Sequence, residues 1–229
     1  MIVGGFQRFS LIDYPGKISA SIFTRGCNFR CGYCHNPELV LPERYSEAIS
    51  LTEIYDFLDR RKGKLDAVVI SGGEPTDQPD LVPVIKKIKS MGFLVKIDTN
   101  GTRPDVLQEL IKSELINYIS MDVKAPIGSY KKVVGYEPDS KLIKESIDLT
   151  IRSGLDHEFR TTLVKGLIDE KEIIKIAEVI KGAQKYYLQI FSPTKCIDSN
   201  FLEREVYSEK ELESVVLKIK DNFGYCGAR

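Results

Sequence analysis

The stretch Ile18-Ser19-Ala20-Ser21-Ile22-Phe23-Thr24-Arg25-Gly26-Cys27-Asn28-Phe29-Arg30-Cys31-Gly32-Tyr33-Cys34 joins two patterns. Its first half, apolar at Ile18, Ala20, Ile22 and Phe23, reads as a β-strand. Its second half sets Cys27, Cys31 and Cys34 so close in the chain that all three thiolates can face one metal centre. A cluster of four irons normally takes four thiolates. A compact trio therefore leaves one iron without a protein ligand, open to a molecule that brings its own donors, and an open position separates a catalytic metal site from a structural one. Zinc would ask for a fourth protein ligand, and His35 follows Cys34 too closely to swing easily onto the same tetrahedron. A disulfide framework wants an even, dispersed set of cysteines in a small secreted chain. Here five cysteines, three of them clustered, occur in 229 residues that open with no signal-peptide pattern.

Beyond the cysteine loop, short apolar runs alternate with amphipathic segments, the pattern of β-α units around a parallel sheet. Ser50 and Glu53 read as a capping box for a helix using Leu51, Ile54, Tyr55 and Leu58. Strands are expected at 67–70, 93–97, 118–121, 159–164 and 186–191. Helices are expected over Leu81–Ile88, Val106–Ile111 and Ile143–Ile151, with further ones capped by Asp169/Glu172 and Ser208/Glu211. Six strands fall short of the eight units of a closed barrel, so the expected fold is α/β, a partial, laterally open (β/α)6 TIM-like barrel in a single domain, 1–229. Residues 1–17 form a lead-in, 18–192 the barrel core and 193–229 a C-terminal extension with the final helix. An open side suits a large substrate.

In parallel α/β barrels the working residues stand where strands finish. After the second expected strand comes Ser71-Gly72-Gly73-Glu74-Pro75, where two glycines let backbone approach a ligand; a plain tight turn with Pro75 starting a helix is the other reading. Asp98-Thr99-Asn100-Gly101 follows the third strand and Met121-Asp122-Val123-Lys124 the fourth. Asn-Gly pairs and single strand-end aspartates are common in turns, but two carboxylates and an ammonium at adjacent barrel mouths suggest a polar site. Arg160 with Thr161 and Thr162 stands on the fifth. His35 and His157 read as hydrogen-bonded structural residues, and Cys196 and Cys226 as isolated thiols.

The Cys-x3-Cys-x2-Cys spacing with Tyr33 before the last cysteine resembles the signature of the radical S-adenosylmethionine (SAM) superfamily. The segment Ser10-Leu11-Ile12-Asp13-Tyr14-Pro15-Gly16-Lys17, leading into Phe23 to Glu38, is similar to the start of glycyl-radical-enzyme activases, in particular the anaerobic ribonucleoside-triphosphate reductase activating proteins. The resemblance implies the same partial barrel, a 4Fe-4S cluster held by Cys27, Cys31 and Cys34, and SAM chelated at the open iron. It implies that Gly72, Gly73 and Glu74 hold the SAM ammonium and that Tyr33 packs on adenine, a plain loop-anchoring role being the other reading of that ring. Asp98 and Asp122 would form a polar floor linked to a monovalent cation, and Lys124 would reach SAM polar groups. Arg160 would meet the SAM carboxylate or else serve as an ordinary surface salt-bridge residue, and Asp13 would help receive the partner's loop, although an Asp before Tyr-Pro-Gly also simply makes a turn. The physical case agrees, since the carboxylate, ammonium and hydroxyls of SAM need partners once removed from water.

The implied activity is reductive cleavage of SAM to methionine and a 5′-deoxyadenosyl radical. That radical takes a hydrogen atom from a glycine Cα of a partner enzyme, and the electron comes from a low-potential donor such as flavodoxin or ferredoxin. Thirty-three basic residues balance thirty-three acidic ones, which gives no nucleic-acid footprint. No apolar run is long enough to cross a bilayer, and clustered free cysteines suit the cytoplasm. Two other functions fit parts of the pattern: a radical SAM enzyme acting on a small molecule or peptide, for instance in modified-nucleoside biosynthesis, and a non-catalytic iron–sulfur electron carrier or redox sensor, for which an open iron is poor design.

Overall fold

The strand that leads into the cysteine loop is paired on both sides. The computed structural model describes residues 1–229, and β2 (Ser19–Thr24) lies between β1 (Val3–Ser10), antiparallel to it, and β3 (Ala67–Gly72), parallel to it. The parallel register runs from Ser19 opposite Ala67 to Thr24 opposite Gly72, so the two strands end level. β4 (Leu94–Thr99) continues the parallel pairing, Ala67 opposite Leu94 through Ile70 opposite Ile97. Then come β5 (Tyr118–Asp122), β6 (Asp156–Leu163), β7 (Lys185–Ile190) and β8 (Tyr225–Ala228), and the strands follow one another in chain order in an eight-stranded sheet.

Two strands lie outside the six that periodicity marks. β1 hides in the segment expected as a lead-in, because Gly4 and Gly5 and two register shifts break its alternation. β8 is four residues long and contains Gly227, too short and weak for a pattern, yet it pairs in parallel with β7 from Lys185 opposite Tyr225 to Leu188 opposite Ala228. β6 begins three residues before its expected start. His157 and Glu158 look like loop residues but are 2 % exposed, with ring and backbone of His157 tied to Leu155 and Gln184.

The connecting helices are α1 (Pro37–Val40), α2 (Leu51–Arg60), α3 (Leu81–Ser90), α4 (Pro104–Lys112), α5 (Lys131–Val134), α6 (Ser140–Arg152), α7 (Glu170–Val179) and α8 (Glu209–Ile219). Reciprocal capping boxes open α7 at Asp169/Glu172 and α8 at Ser208/Glu211. At α2 the box is not formed. Ser50 accepts instead from the Thr52 amide, and Glu53 pairs with Arg8 on the neighbouring hairpin strand. No helix is long and apolar enough to cross a membrane.

The chain divides into two compact units. One comprises residues 1–28, 38–99 and 105–119; the other comprises 29–37, 100–104 and 120–229. In the first, Ile22, Ile54, Leu58, Ile70, Ile85 and Ile88 are wholly buried. In the second, Phe159, Ile173, Tyr186, Leu188 and Leu212 form the equivalent interior.

Candidate active site

In the first unit, the level ends of β2 and β3 press two glycine-bearing turns together. Gly73 donates its amide to Thr24 O at 2.9 Å, and Glu74 donates its amide to Gly26 O at 2.7 Å. A Cβ on Gly73 would stand 1.9 Å from the Gly26 carbonyl oxygen, and one on Gly72, whose φ is +120°, would stand 2.2 Å from the Thr24 nitrogen. The glycines are thus required by the approach of the backbone leading into Cys27. That sulfur is half-buried.

Glu74 is 1 % exposed. Its Oε1 accepts from the Thr76 amide at 3.1 Å, the Thr76 hydroxyl at 2.5 Å and the Thr99 hydroxyl at 2.7 Å. This carboxylate oxygen ties the turn after β3 to the end of β4 and caps the 3-10 turn Pro75–Asp77, so the helix-start reading of Pro75 and a polar role for Glu74 coexist. Asp98 receives the Ser71 hydroxyl at 2.9 Å and the Lys96 ammonium at 2.6 Å. In the hairpin turn, Asp13 accepts from the Ser21 hydroxyl at 2.6 Å, and its amide donates to Ser10 Oγ at 3.1 Å.

The second unit holds the rest of the cysteine loop. Cys31 is 7 % exposed; burial pushes its thiol up to about 11, with the Lys124 ammonium pulling the other way. Cys34 is half-buried and its amide closes a turn onto Cys31 O at 3.0 Å. The ring of Tyr33 is 4 % exposed, between Phe191 at 6.3 Å and Phe201 at 6.2 Å. Its hydroxyl is buried without a hydrogen-bond partner. His35 anchors the end of the loop, its Nε2 2.7 Å from Ser192 O and its ring stacked on Phe191 at 5.5 Å. Cys196 is 8 % exposed, and Cys226 lies half-buried on β8.

Asp122, at the end of β5, accepts from Arg160 Nε at 2.8 Å and from Lys124 Nζ at 2.9 Å. Burial alone would raise its carboxyl; the guanidinium and then the ammonium outweigh it and hold the group well below the usual carboxylate range. Lys124 answers in kind: burial would lower its ammonium, and Asp122 holds it well above its ordinary value. Such a depressed carboxyl stabilises the fold fully above the unfolded pKa of about 4 and loses that contribution as pH falls toward its folded value. Asp122→Asn is expected to destabilise the protein by about 3 kcal/mol at pH 7, since two largely buried cations lose their counter-charge. The gap between the two urea midpoints should close below pH of about 4. A gap that widens in acid would contradict the ion triad.

Sequence reasoning missed Lys96, Ser71, Phe191 and Phe201. Lys96 carried a signal: a lysine inside an apolar strand, two residues before Asp98, shares a face with it. The phenylalanines gave none, because their use depends on the return of distant chain to the cysteine loop.

The radical SAM superfamily profile matches residues 21–180. A Methanocaldococcus jannaschii protein provisionally named a glycyl-radical enzyme activating enzyme is 40% identical over 219 residues, 93% of this chain and 90% of its own. A pyruvate formate-lyase-activating enzyme of Clostridium pasteurianum is 30% identical over 80% of this chain and 78% of its own. The crystal structure of Streptococcus suis SuiB bound to S-adenosylmethionine superposes with a TM-score of 0.69 at 16% identity, covering 90% of this chain and 48% of SuiB. That likeness bears on the fold alone, and the fold is the expected α/β partial TIM-like barrel. The chain belongs to the radical SAM superfamily and, within it, to the glycyl-radical enzyme activating enzymes.

Proposed function

We propose that this enzyme installs a glycyl radical on a separate enzyme of the anaerobic ribonucleotide reductase type. Superfamily membership implies a 4Fe-4S cluster and SAM, and the residues present fit both. The loop offers three thiols and no competing metal-binding side chain except His35, which is taken up by Ser192 O and Phe191. The second unit adds paired cations at Asp122 and an orphaned Tyr33 hydroxyl suited to a polar ligand. When bound, the cluster would supply one electron, drawn from a flavodoxin- or ferredoxin-like donor in the cytoplasm, to the SAM sulfonium, the chemistry that yields methionine and a 5′-deoxyadenosyl radical.

In this reading Cys27, Cys31 and Cys34 ligate the cluster. Lys124 and Arg160, oriented by Asp122, receive the SAM carboxylate, while Asp98 and the Gly72-Gly73-Glu74 turn receive its ammonium and hydroxyls. Tyr33 keeps the loop closed against Phe191 and Phe201, and contributes its hydroxyl at the adenine end. Asp13 belongs to the surface that meets the partner. No general base is required of the chain; its part is placement and exclusion of water.

The observation that carries a protein target over a small molecule is the end-to-end match to the M. jannaschii relative. The reductase-type partner rests on the opening segment Ser10–Lys17. The test is anaerobic reconstitution with SAM, dithionite and an anaerobic ribonucleotide reductase. The expected result is 5′-deoxyadenosine together with a glycine-centred paramagnetic signal on the reductase. 5′-Deoxyadenosine without that signal would remove the partner, and its absence would remove the radical chemistry.

A further inference from the structure

Lys96 lies in the middle of β4 and is 3 % exposed. Its ammonium donates to Asp98 Oδ1 at 2.6 Å and stands 5.9 Å from the centre of the Tyr118 ring, while the Ser71 hydroxyl donates to Asp98 Oδ2 at 2.9 Å. All four residues belong to the first unit, and the apolar cluster of Tyr14, Ala67, Val69, Tyr118 and Leu94 lies in the same unit. An ammonium in such surroundings is costly unless an opposite charge and hydrogen bonds compensate it, so the lysine and the aspartate are fitted to each other. In the second unit Asp122 is served in the same way by Lys124 and Arg160. Each carboxylate expected to bind a cation therefore already holds one from its own unit.

We propose that Lys96 is a positioning residue, the built-in counter-cation of Asp98, which holds that carboxylate in place so that SAM binds without an added monovalent cation. The proposal rests on the reading of Asp98 as part of the SAM site. It is tested by SAM affinity of the reconstituted holoenzyme in tetramethylammonium chloride and in potassium chloride at equal ionic strength, for wild type, Lys96→Arg and Lys96→Met. Wild type and Lys96→Arg are expected to bind equally in both salts. Lys96→Met is expected to bind about tenfold more weakly in tetramethylammonium, and potassium to restore most of the loss.

Thermal midpoints without SAM supply a second readout: potassium should raise that of Lys96→Met and leave the wild type unmoved. A wild type that gains about tenfold in affinity from potassium overturns the proposal, as does a Lys96→Met protein indistinguishable from wild type in both salts. Should Lys96→Met not fold, the wild-type and Lys96→Arg comparison across salts still decides. A wild type that binds SAM in neither salt overturns the reading of the site itself, and is told apart because the midpoints need no SAM.

Discussion

Cys31→Ala is expected to yield a folded protein that takes up no stable iron–sulfur cluster and releases no 5′-deoxyadenosine above background. The residue is the most enclosed of the three loop cysteines, at 7 % exposure. Burial pushes its thiol up to about 11, so the metal-free protein carries a neutral side chain there. Alanine substitution costs the fold about 1 kcal/mol, the loss of one small buried group. The same change takes one donor from a set already one short of the usual four thiolates. Fold and iron should therefore separate: a thermal midpoint within a few degrees of wild type, with iron and sulfide content near zero. Cys226→Ala is the control. Its sulfur is half-buried on β8, and its loss should leave iron content and SAM cleavage unchanged. Full iron in Cys31→Ala, or iron lost in Cys226→Ala, would overturn the ligand assignment.

The strands β2 to β5 and β7 and the principal helices were legible because each buries an apolar run or stripe, and that demand is written locally as periodicity; β6 mixes buried polar residues with apolar ones and could be read only from Phe159 onward. β1 and β8 were not legible, since their pairing is decided by neighbours: β1 by the hairpin with β2, β8 by the exposed edge of β7. The site followed the same division. The cysteine loop and the strand-end aspartates could be read because parallel α/β topology puts strand ends to chemical use. How each side chain is held could not. Glu74 reads as a ligand residue, yet one of its oxygens already accepts three hydrogen bonds, two donated by Thr76 and one by Thr99. Tyr33 reads as a partner for adenine or as a loop anchor, and the residues that pack on its ring, Phe191 and Phe201, stand nearly 160 residues away and more in the chain. Such contacts depend on tertiary return of the chain, which composition and spacing do not encode.

The Gly-Gly turn after β3 makes the strongest demand on sequence identity. Gly73→Ala places a methyl group 1.9 Å from the carbonyl oxygen of Gly26, the residue just before Cys27, and 2.6 Å from its carbonyl carbon. Both are backbone atoms, so no side-chain rotation relieves the clash. The Gly26 oxygen also accepts the Glu74 amide at 2.7 Å, and pushing it away breaks the bond that registers the two turns. Overpacking typically costs up to about 3 kcal/mol, which in a chain of this size lowers the thermal midpoint by roughly 6–12 °C. Gly63→Ala separates this from backbone strain. Gly63 has φ +74° with nothing within 4 Å of an added Cβ, so its cost should be the left-handed penalty alone, about 1–2 kcal/mol, with cluster content intact. Gly73→Ala should lose both stability and iron, because the displaced carbonyl leads directly into the first cysteine. Calorimetry and iron analysis of the two variants decide it: equal midpoints, or a fully loaded Gly73→Ala protein, would mean that the turn yields where its geometry says it cannot.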